Sequence, residues 1–493
     1  MPRPRRVSFT SIGLAKGSFP ERCQVTAATI NGAAYCDTDD LPTVDRLVTD
    51  LVQPLLRYGR LCGVLDLKKG VFIPKTPGQD FDPAALVREI EVDAGSDLQT
   101  LHNTILDHAQ DVLDRDRNGL PWWEVLVVRN TGVAADDDSR TQSAIVVRVH
   151  HALGDGIALL HIFRDILTGQ EGHDKVTWPA SFSTTQSTTT TSFRPKYPWW
   201  SFITSTFQVL GLAATKFDTN TAFSRCNHAK MTHNGQRRVC VFPAVSLDFI
   251  KALKNATDGA TINDVLLATV SQAIYEYCRQ AEASSHGNDD DGNDTNSNDS
   301  LPKAVPVDAK TRCRVLMPVG FPRPDNPHAP PEDYDMANKW CMVSCDLAVG
   351  QADVVQRLTQ ITHNTTQLKK RPVAFMQLAL QNRVVPWLPL ALARQTVLDV
   401  FSRHSLVLTN VPGPAQPCRL AGTAVIRDFQ VFFDNLLTQC SLISYAGRVH
   451  GNVIYDPVAL PGMQDFGKLY TSALMQLAHA LKVEVPKDFA VDE

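Results

Sequence analysis

The run Val146-Val147-Arg148-Val149-His150-His151-Ala152-Leu153-Gly154-Asp155-Gly156 sets two adjacent histidines between a β-branched segment and a glycine-punctuated turn. Ile145 to Val149 suit a pleated, half-buried surface, which predicts a strand. Strand side chains alternate, so Ile145, Val147, Val149 and His151 share one face, and Arg148 and His150 the other. The two histidines therefore do not act as a pair: if one faces a cleft, the other is turned into the fold. Gly154 and Gly156 permit a sharp turn, and Asp155 stands where a helix N-cap belongs. Ile157, Leu160, Phe163 and Leu167 then recur at a helical period, with Gly169 a natural stop.

Around this motif the chain is long, at 493 residues, which a length prior divides into two or three units. A composition of 43% hydrophobic and 20% charged residues with net charge -4 gives no general reason to expect nucleic-acid binding. Eleven cysteines are scattered without metal-ligand spacing; Cys341-x-x-x-Cys345 is the nearest approach to a cluster and has no partner pair. Reduced thiols, in the cytosol or on a cytosol-facing surface, are the expectation. The basic start Met1-Pro2-Arg3-Pro4-Arg5-Arg6 lacks a following apolar segment, so it is read as a solvated tail and not a signal peptide. No run of some 18 apolar residues suggests a spanning helix.

Val25 to Ala34 reads as a strand, Thr43 to Arg57 as an amphipathic helix, and Asp97 to Leu113 as a second helix. Pro121 to Val128 is a strand expected to pair with the histidine strand across an acidic loop holding Asp136, Asp137 and Asp138. Ser181 to Ser192 is a Ser/Thr-rich linker. Tyr197 to Ala214 is either an amphipathic surface segment with tryptophans at an interface or, the favoured reading, a helix packed on the protein itself. A long helix opens at Thr261-Ile262-Asn263-Asp264, where Thr261 and Asp264 have capping-box spacing. Asp289 to Asp299 is a low-complexity insertion expected to be disordered. Arg314 to Val319 and Ser405 to Thr409 read as strands, Ser441 to Asp456 as a hairpin turned near Ala446-Gly447, and Phe466 to Leu481 as a closing helix. Mixed helices and strands without repeats imply an α/β architecture.

The His-His-x-x-x-Asp-Gly motif resembles the active-site signature of the CoA-dependent acyltransferase superfamily. Further stretches resemble the wax ester synthase/diacylglycerol acyltransferase family, in that family's order. They are Phe81-Asp82-Pro83, Leu113-Asp114-Arg115, Pro121-Trp122-Trp123-Glu124, Thr261-Ile262-Asn263-Asp264-Val265-Leu266, Met317-Pro318-Val319, Asn410-Val411-Pro412-Gly413-Pro414, Leu420-Ala421-Gly422 and Ser444-Tyr445-Ala446-Gly447. Trp122 stands where the family usually carries Leu. The string Arg427-Asp428-Phe429-Gln430 does not fit the late motif of plant-type alcohol acyltransferases. The resemblance implies two chloramphenicol-acetyltransferase-like subdomains with the active-site channel at their interface. On that basis residues 1–180 form the N-terminal subdomain, 181–236 a linker and amphipathic crossover, and 237–493 the C-terminal subdomain, interrupted by an acidic loop at 286–300.

The implied reaction moves a fatty acyl group from acyl-CoA to a long-chain alcohol or diacylglycerol. An alcohol needs a general base as it attacks a thioester at neutral pH, and histidine is the best-matched side chain. His151, at the strand end before the turn, is the candidate base, and family correspondence agrees; His150 is read as structural. No Cys or Ser stands in the motif as a nucleophile, so direct attack in a ternary complex is expected. Asp155 reads as a cap, with the resemblance implying an unidentified arginine partner, and Gly156 as room to turn. For Asn263 a local turn bond and an oxyanion donor stand level on the residues alone; the resemblance favours the donor. Asp264 reads as a cap, and Trp123, Asn410, Pro412 and Gly413 as pocket-shaping. No metal or cofactor is expected, acyl-CoA being a co-substrate, because adjacent strand histidines point apart. Expected partners are acyl-CoA, the acceptor lipid and a membrane or lipid-droplet surface, with location on the cytosolic side of the endoplasmic reticulum. The alternatives are acyl transfer to another acceptor, and a lipid-binding relative that has lost catalysis.

Overall fold

The computed structural model describes residues 28–66, 68–93, 97–109, 119–130, 142–169, 197–224, 236–286, 303–321 and 330–487, together with residues 5, 6, 11, 113, 176–178 and 489. The acidic loop at Asp136–Asp138, the Ser/Thr-rich linker and the Asn/Asp insertion lie outside the described residues.

Two sheets organise the chain. The first is formed by β1 (Thr29–Asp37), β2 (Val87–Val92), β3 (Trp123–Asn130) and β4 (Gln142–His150), with a further strand supplied from far downstream. β4 is central: it pairs antiparallel with β1, Thr29 opposite His150, and with β3, Trp123 opposite Val149. Buried on both faces, it reads as a near-continuous apolar run. Ile145, Val147 and Val149 enter one core with Trp123, Leu153 and Leu159, while Ala144 and Val146 enter another with Ala33, Leu126 and Ile454.

The second sheet contains β5 (Arg238–Ser246), β6 (Arg314–Gly320), β7 (Trp340–Asp346), β8 (Leu406–Pro412), β10 (Thr438–Tyr445) and β11 (Arg448–Tyr455), in the spatial order β7-β6-β8-β10-β11-β5. The remaining strand, β9 (Asp428–Phe432), leaves this half and pairs with β1 as the edge of the first sheet, Phe432 opposite Asn31. Residues 418–420 likewise pair with Thr168–Gly169. Residues 418–432 therefore fold with the N-terminal half although they fall within the 237–493 segment, and they cover an edge that would otherwise expose unpaired backbone groups. The hairpin β10–β11 turns at Ala446 and Gly447, whose φ values of 48° and 76° are those of a type I′ turn.

Helices α1 (Leu98–Ala109), α2 (Gly156–Ile166), α3 (Trp199–Gly211), α4 (Leu247–Asn255), α5 (Ile262–His286), α6 (Val354–Lys369), α7 (Val373–Arg383), α8 (Leu390–Ser402) and α9 (Phe466–Leu481) complete the frame. α5 and α9 pack together over the second sheet, where Val265, Leu266, Val270, Ala273 and Tyr277 join Leu406, Leu442, Leu474 and Leu477 in one core. Val265, Leu266 and Val270 alone, at about 1.5–3 kcal/mol each for full burial, outweigh what a single cap contributes. The expected helix at 43–57 has a π-helical centre, Val48–Val52, between short α-helical turns. Pro54 has no N–H for the usual bond to the carbonyl four residues back, and the widened turn accommodates it.

Candidate active site

β4 delivers the histidines to the junction of the two halves. Its polar face is unusual: Arg148 is buried and ion-paired with buried Glu124, directly opposite on β3. Arg88 reaches the same Glu124 carboxylate at 3.0 Å, and Arg148 Nε donates to Asn31 Oδ1 at 3.3 Å across β1. A buried ion pair is tolerated when neighbouring groups share its charges, as Arg88 and Asn31 do here. The rigid cross-strand network fixes the strand end from which the histidines project.

His150 turns inward. Its Nδ1 accepts from Ala152 N–H at 3.1 Å and its ring stands edge-on to Trp122, 5.1 Å between centroids. An accepting Nδ1 leaves the ring proton on Nε2, so His150 is a neutral brace for the turn. His151 lies one residue beyond the strand, its N–H donated to the Ala28 carbonyl at 2.7 Å. Its ring sits against Trp340 and Phe433, at 5.6 and 5.7 Å, both from the second half of the chain. Its Nδ1 is sealed without a hydrogen-bond partner among the described residues. Burial pushes the imidazole below the ordinary histidine range, partly opposed by the Asp155 charge and by Asn338. At neutral pH the ring is uncharged, the form a base requires.

Asp155 is the N-cap of α2: Oδ1 accepts from Ala158 N–H at 3.0 Å, and Oδ2 accepts from Lys339 N–H at 2.8 Å. One carboxylate thus caps a helix of the first half and holds a segment of the second. Asn338, next to that contact, is buried and donates from Nδ2 to the His151 carbonyl at 2.7 Å and to Ser11 Oγ at 2.9 Å, while its Oδ1 accepts from Trp340 Nε1 at 3.3 Å. The segment Met336 to Trp340 therefore closes on the histidine turn. Close approach needs Gly154, where a Cβ would stand 3.3 Å from the Met336 carbonyl oxygen, and Gly320, where one would overlap Ile157. Gly156 corrects the expectation: its φ is not left-handed and a Cβ there would meet nothing, so the turn does not require a glycine at that position.

Asn263 is exposed at the start of α5, and its Oδ1 accepts from Asn410 Nδ2. No hydrogen bond joins Asn263 to His151 among the described residues. β6 runs parallel to β8 with Val315 beside Leu406, and Gly320 is paired with Trp340. The asparagine pair thus lies at the same end of the second sheet as Trp340, the residue against His151. Thr261 and Asp264 form the capping box: Asp264 Oδ2 accepts from Thr261 N–H at 2.8 Å and Oγ1–H at 2.7 Å, and its Oδ1 accepts from Thr365 Oγ1–H at 2.7 Å. Pro412 is half-buried at the end of β8. Gly413 permits strand contact, since a Cβ would meet the Ser444 carbonyl oxygen. Trp123 is fully buried, with Nε1–H donated to the Leu61 carbonyl at 2.7 Å, and it belongs to the core beneath the turn.

Glu124, Asn338, Trp340 and Phe433 were not foreseen as site residues. Glu124 and Arg148 carry a signal, two charges opposed in otherwise apolar strands; Asn338 and Phe433 carry none, because their roles arise from packing between distant segments. A small polar cavity of roughly 200 Å³, lined by Gln208, Asp346, Asn364 and Arg371 among others, includes none of the residues around His151.

Comparison with known proteins follows the same geometry. Residues 76–266 match the model of the wax ester synthase/diacylglycerol acyltransferase catalytic domain, and residues 336–478 match that of the WS/DGAT C-terminal domain. The chain is 26% identical over 443 residues to a Mycobacterium tuberculosis protein named "Probable diacyglycerol O-acyltransferase tgs1", covering 85% of each. It is 25% identical over 278 residues, half of each chain, to wax ester synthase/diacylglycerol acyltransferase 9 of Arabidopsis thaliana. The solved wax ester synthase/diacylglycerol acyltransferase of Marinobacter aquaeolei VT8 shares the fold, with TM-score 0.62 and 18% identity, covering 97% of this chain and 100% of that one. With the catalytic-domain model spanning the histidine turn and the C-terminal model following it in order, the chain belongs to the wax ester synthase/diacylglycerol acyltransferase family and is an acyltransferase.

Proposed function

We propose that this acyltransferase moves a fatty acyl group from acyl-CoA to the hydroxyl of a long-chain alcohol or of diacylglycerol, with His151 as general base. The observation that carries this reading is the uncharged His151 ring at the junction of the halves, between Trp340 and Phe433 and tied down by Asn338. The imidazole takes the hydroxyl proton as the oxygen attacks the thioester carbon. The tetrahedral intermediate collapses by breaking the C–S bond, and the imidazolium returns the proton to the departing thiolate of CoA. Both substrates are held together, with no acyl-enzyme, no metal and no resident cofactor; acyl-CoA is consumed. Asn263 is the oxyanion donor in this reading. With its Oδ1 already accepting from Asn410, its Nδ2 is the free end, and the start of α5 favours negative charge nearby.

Such acceptors are membrane lipids, and we place the enzyme at a lipid surface, facing the cytosol at the endoplasmic reticulum. No described helix is long and apolar enough to cross a membrane. What supports surface attachment is the outward aromatic face of α3. The test is purified full-length protein given acyl-CoA with hexadecanol or with diacylglycerol, CoA release and extracted esters both being measured. His151→Ala should lower turnover about 10²–10⁴-fold, the usual contribution of a general base. An unchanged rate would refute the mechanism, and CoA release with only other acceptors would move the substrate assignment.

A further inference from the structure

Helix α3 is built inside out. Ser201 and Ser205 face the protein, Ser205 at 0% exposure, while Trp199 and Phe207 stand 75% and 71% exposed beside exposed Trp200, Ile203 and Leu210. At the helical repeat these five apolar residues fall within an arc of about 100°, the reverse of a water-facing helix. The exposure continues on the neighbours. α7 packs against α3 and presents Phe375; the turn after it presents Trp387, 87% exposed; α8 presents Leu392. Arg403, just past α8, donates to the Thr215 carbonyl at 2.6 Å and lies over the Phe217 ring, which ties α8 to the segment after α3. Apolar side chains exposed over three joined helices form a patch, unlike singly scattered residues that need no explanation.

The charge around it is mostly positive. α3 and α7 carry no Asp or Glu and α8 carries one, Asp399, which accepts from Gln395, although the whole chain has net charge -4. Lys369, Lys370, Arg371 and Arg383 are exposed at the two ends of α7. Tyr197 donates from its hydroxyl to the Lys369 carbonyl at 3.3 Å, so the basic run Lys369–Arg371 sits at the tryptophan end of α3. Tryptophans beside lysine and arginine at the rim of an apolar face suit the headgroup layer of a phospholipid surface.

We propose that α3, α7 and α8 form one docking face for phospholipid surfaces carrying anionic headgroups. The aromatic residues enter the interfacial layer, and Lys369–Arg371 select negative charge. The proposal rests on the lipid-acceptor reading for its purpose but is measured apart from it. The full-length protein is floated with phosphatidylcholine vesicles and with vesicles containing phosphatidylserine. Binding should favour the anionic vesicles and weaken with salt. The combined change Lys369→Ala, Lys370→Ala, Arg371→Ala should lower anionic binding on the order of a hundredfold, about fivefold per charge, and leave neutral vesicles unaffected. Trp199→Ser with Phe207→Ser should weaken binding to both. These side chains are exposed, so circular dichroism and CoA release from detergent-dispersed substrate should match the parent protein. Variants that float like the parent, or a parent that floats with neither vesicle, would overturn the proposal. Loss of CoA release with flotation intact would count against the acyl-transfer reading alone.

Discussion

Replacing Asn338 by Ala probes how the two halves make one site. The change removes a donor from the His151 carbonyl and from Ser11 Oγ, and an acceptor from Trp340 Nε1, all in a buried place. Losing one partner of a buried hydrogen bond costs about 1–3 kcal/mol, so the melting temperature should fall by several degrees without loss of the fold. The larger effect should be on rate. Freed from Asn338, the His151 backbone and the Trp340 ring can relax, and a displacement near 1 Å costs about 10²-fold. kcat should therefore drop on the order of 10–100-fold, with KM for acyl-CoA changing little, because Asn338 touches the base and not the expected thioester. Asn338 also favours the protonated ring against burial, so its loss should move the acidic limb of the kcat/KM profile to lower pH. CoA release across pH, with calorimetry on the same samples, reads all three quantities. A kcat within twofold of the parent and an unmoved acidic limb, in a folded protein, would refute the positioning role.

Two other outcomes follow from the same geometry. Burial holds the His151 pKa below the ordinary histidine value, so the base form persists into mildly acidic solution, and the acidic limb of kcat/KM should have its midpoint below pH 6.5; a midpoint above 6.5 would contradict the burial argument. Glu124→Ala strands the buried Arg148 charge, which should destabilise the fold by about 3–5 kcal/mol. Adding Arg148→Met should recover part of that loss in urea unfolding, whereas equal losses in the single and double variants would mean that the stranded charge is not the cause.

Much of the site is legible in the residues alone. Alternation along β4 separates His150 from His151, since a strand can send adjacent side chains only to opposite faces. Asp155 and the Thr261–Asp264 box were readable as caps because capping is a local affair of three or four residues. The turn near Ala446-Gly447 is readable from Gly447, which tolerates positive φ, whereas the positive φ of Ala446 is not. Other readings depend on what lies across from a residue. Trp123 belongs to the core, because β4 and the 61–62 region enclose it. Gly156 looked like the hinge of the turn, but Gly154 is the glycine against which Met336 packs. The Tyr197 to Ala214 segment does pack on the protein, but through its serines, and it leaves its tryptophans exposed.

The histidine strand, the Asp-capped helix after it, the α/β class and the family motifs can be read from the chain, because each rests on backbone periodicity or on a few adjacent residues. The assembled fold is needed to see that β9 crosses back to the first sheet, that Asn338 and Lys339 hold the His151 turn from the other half, and that Asn263 pairs with Asn410. Those contacts join residues more than a hundred positions apart. Their partners are selected by strand register and close packing in the assembled fold, and no local pattern in the chain encodes them.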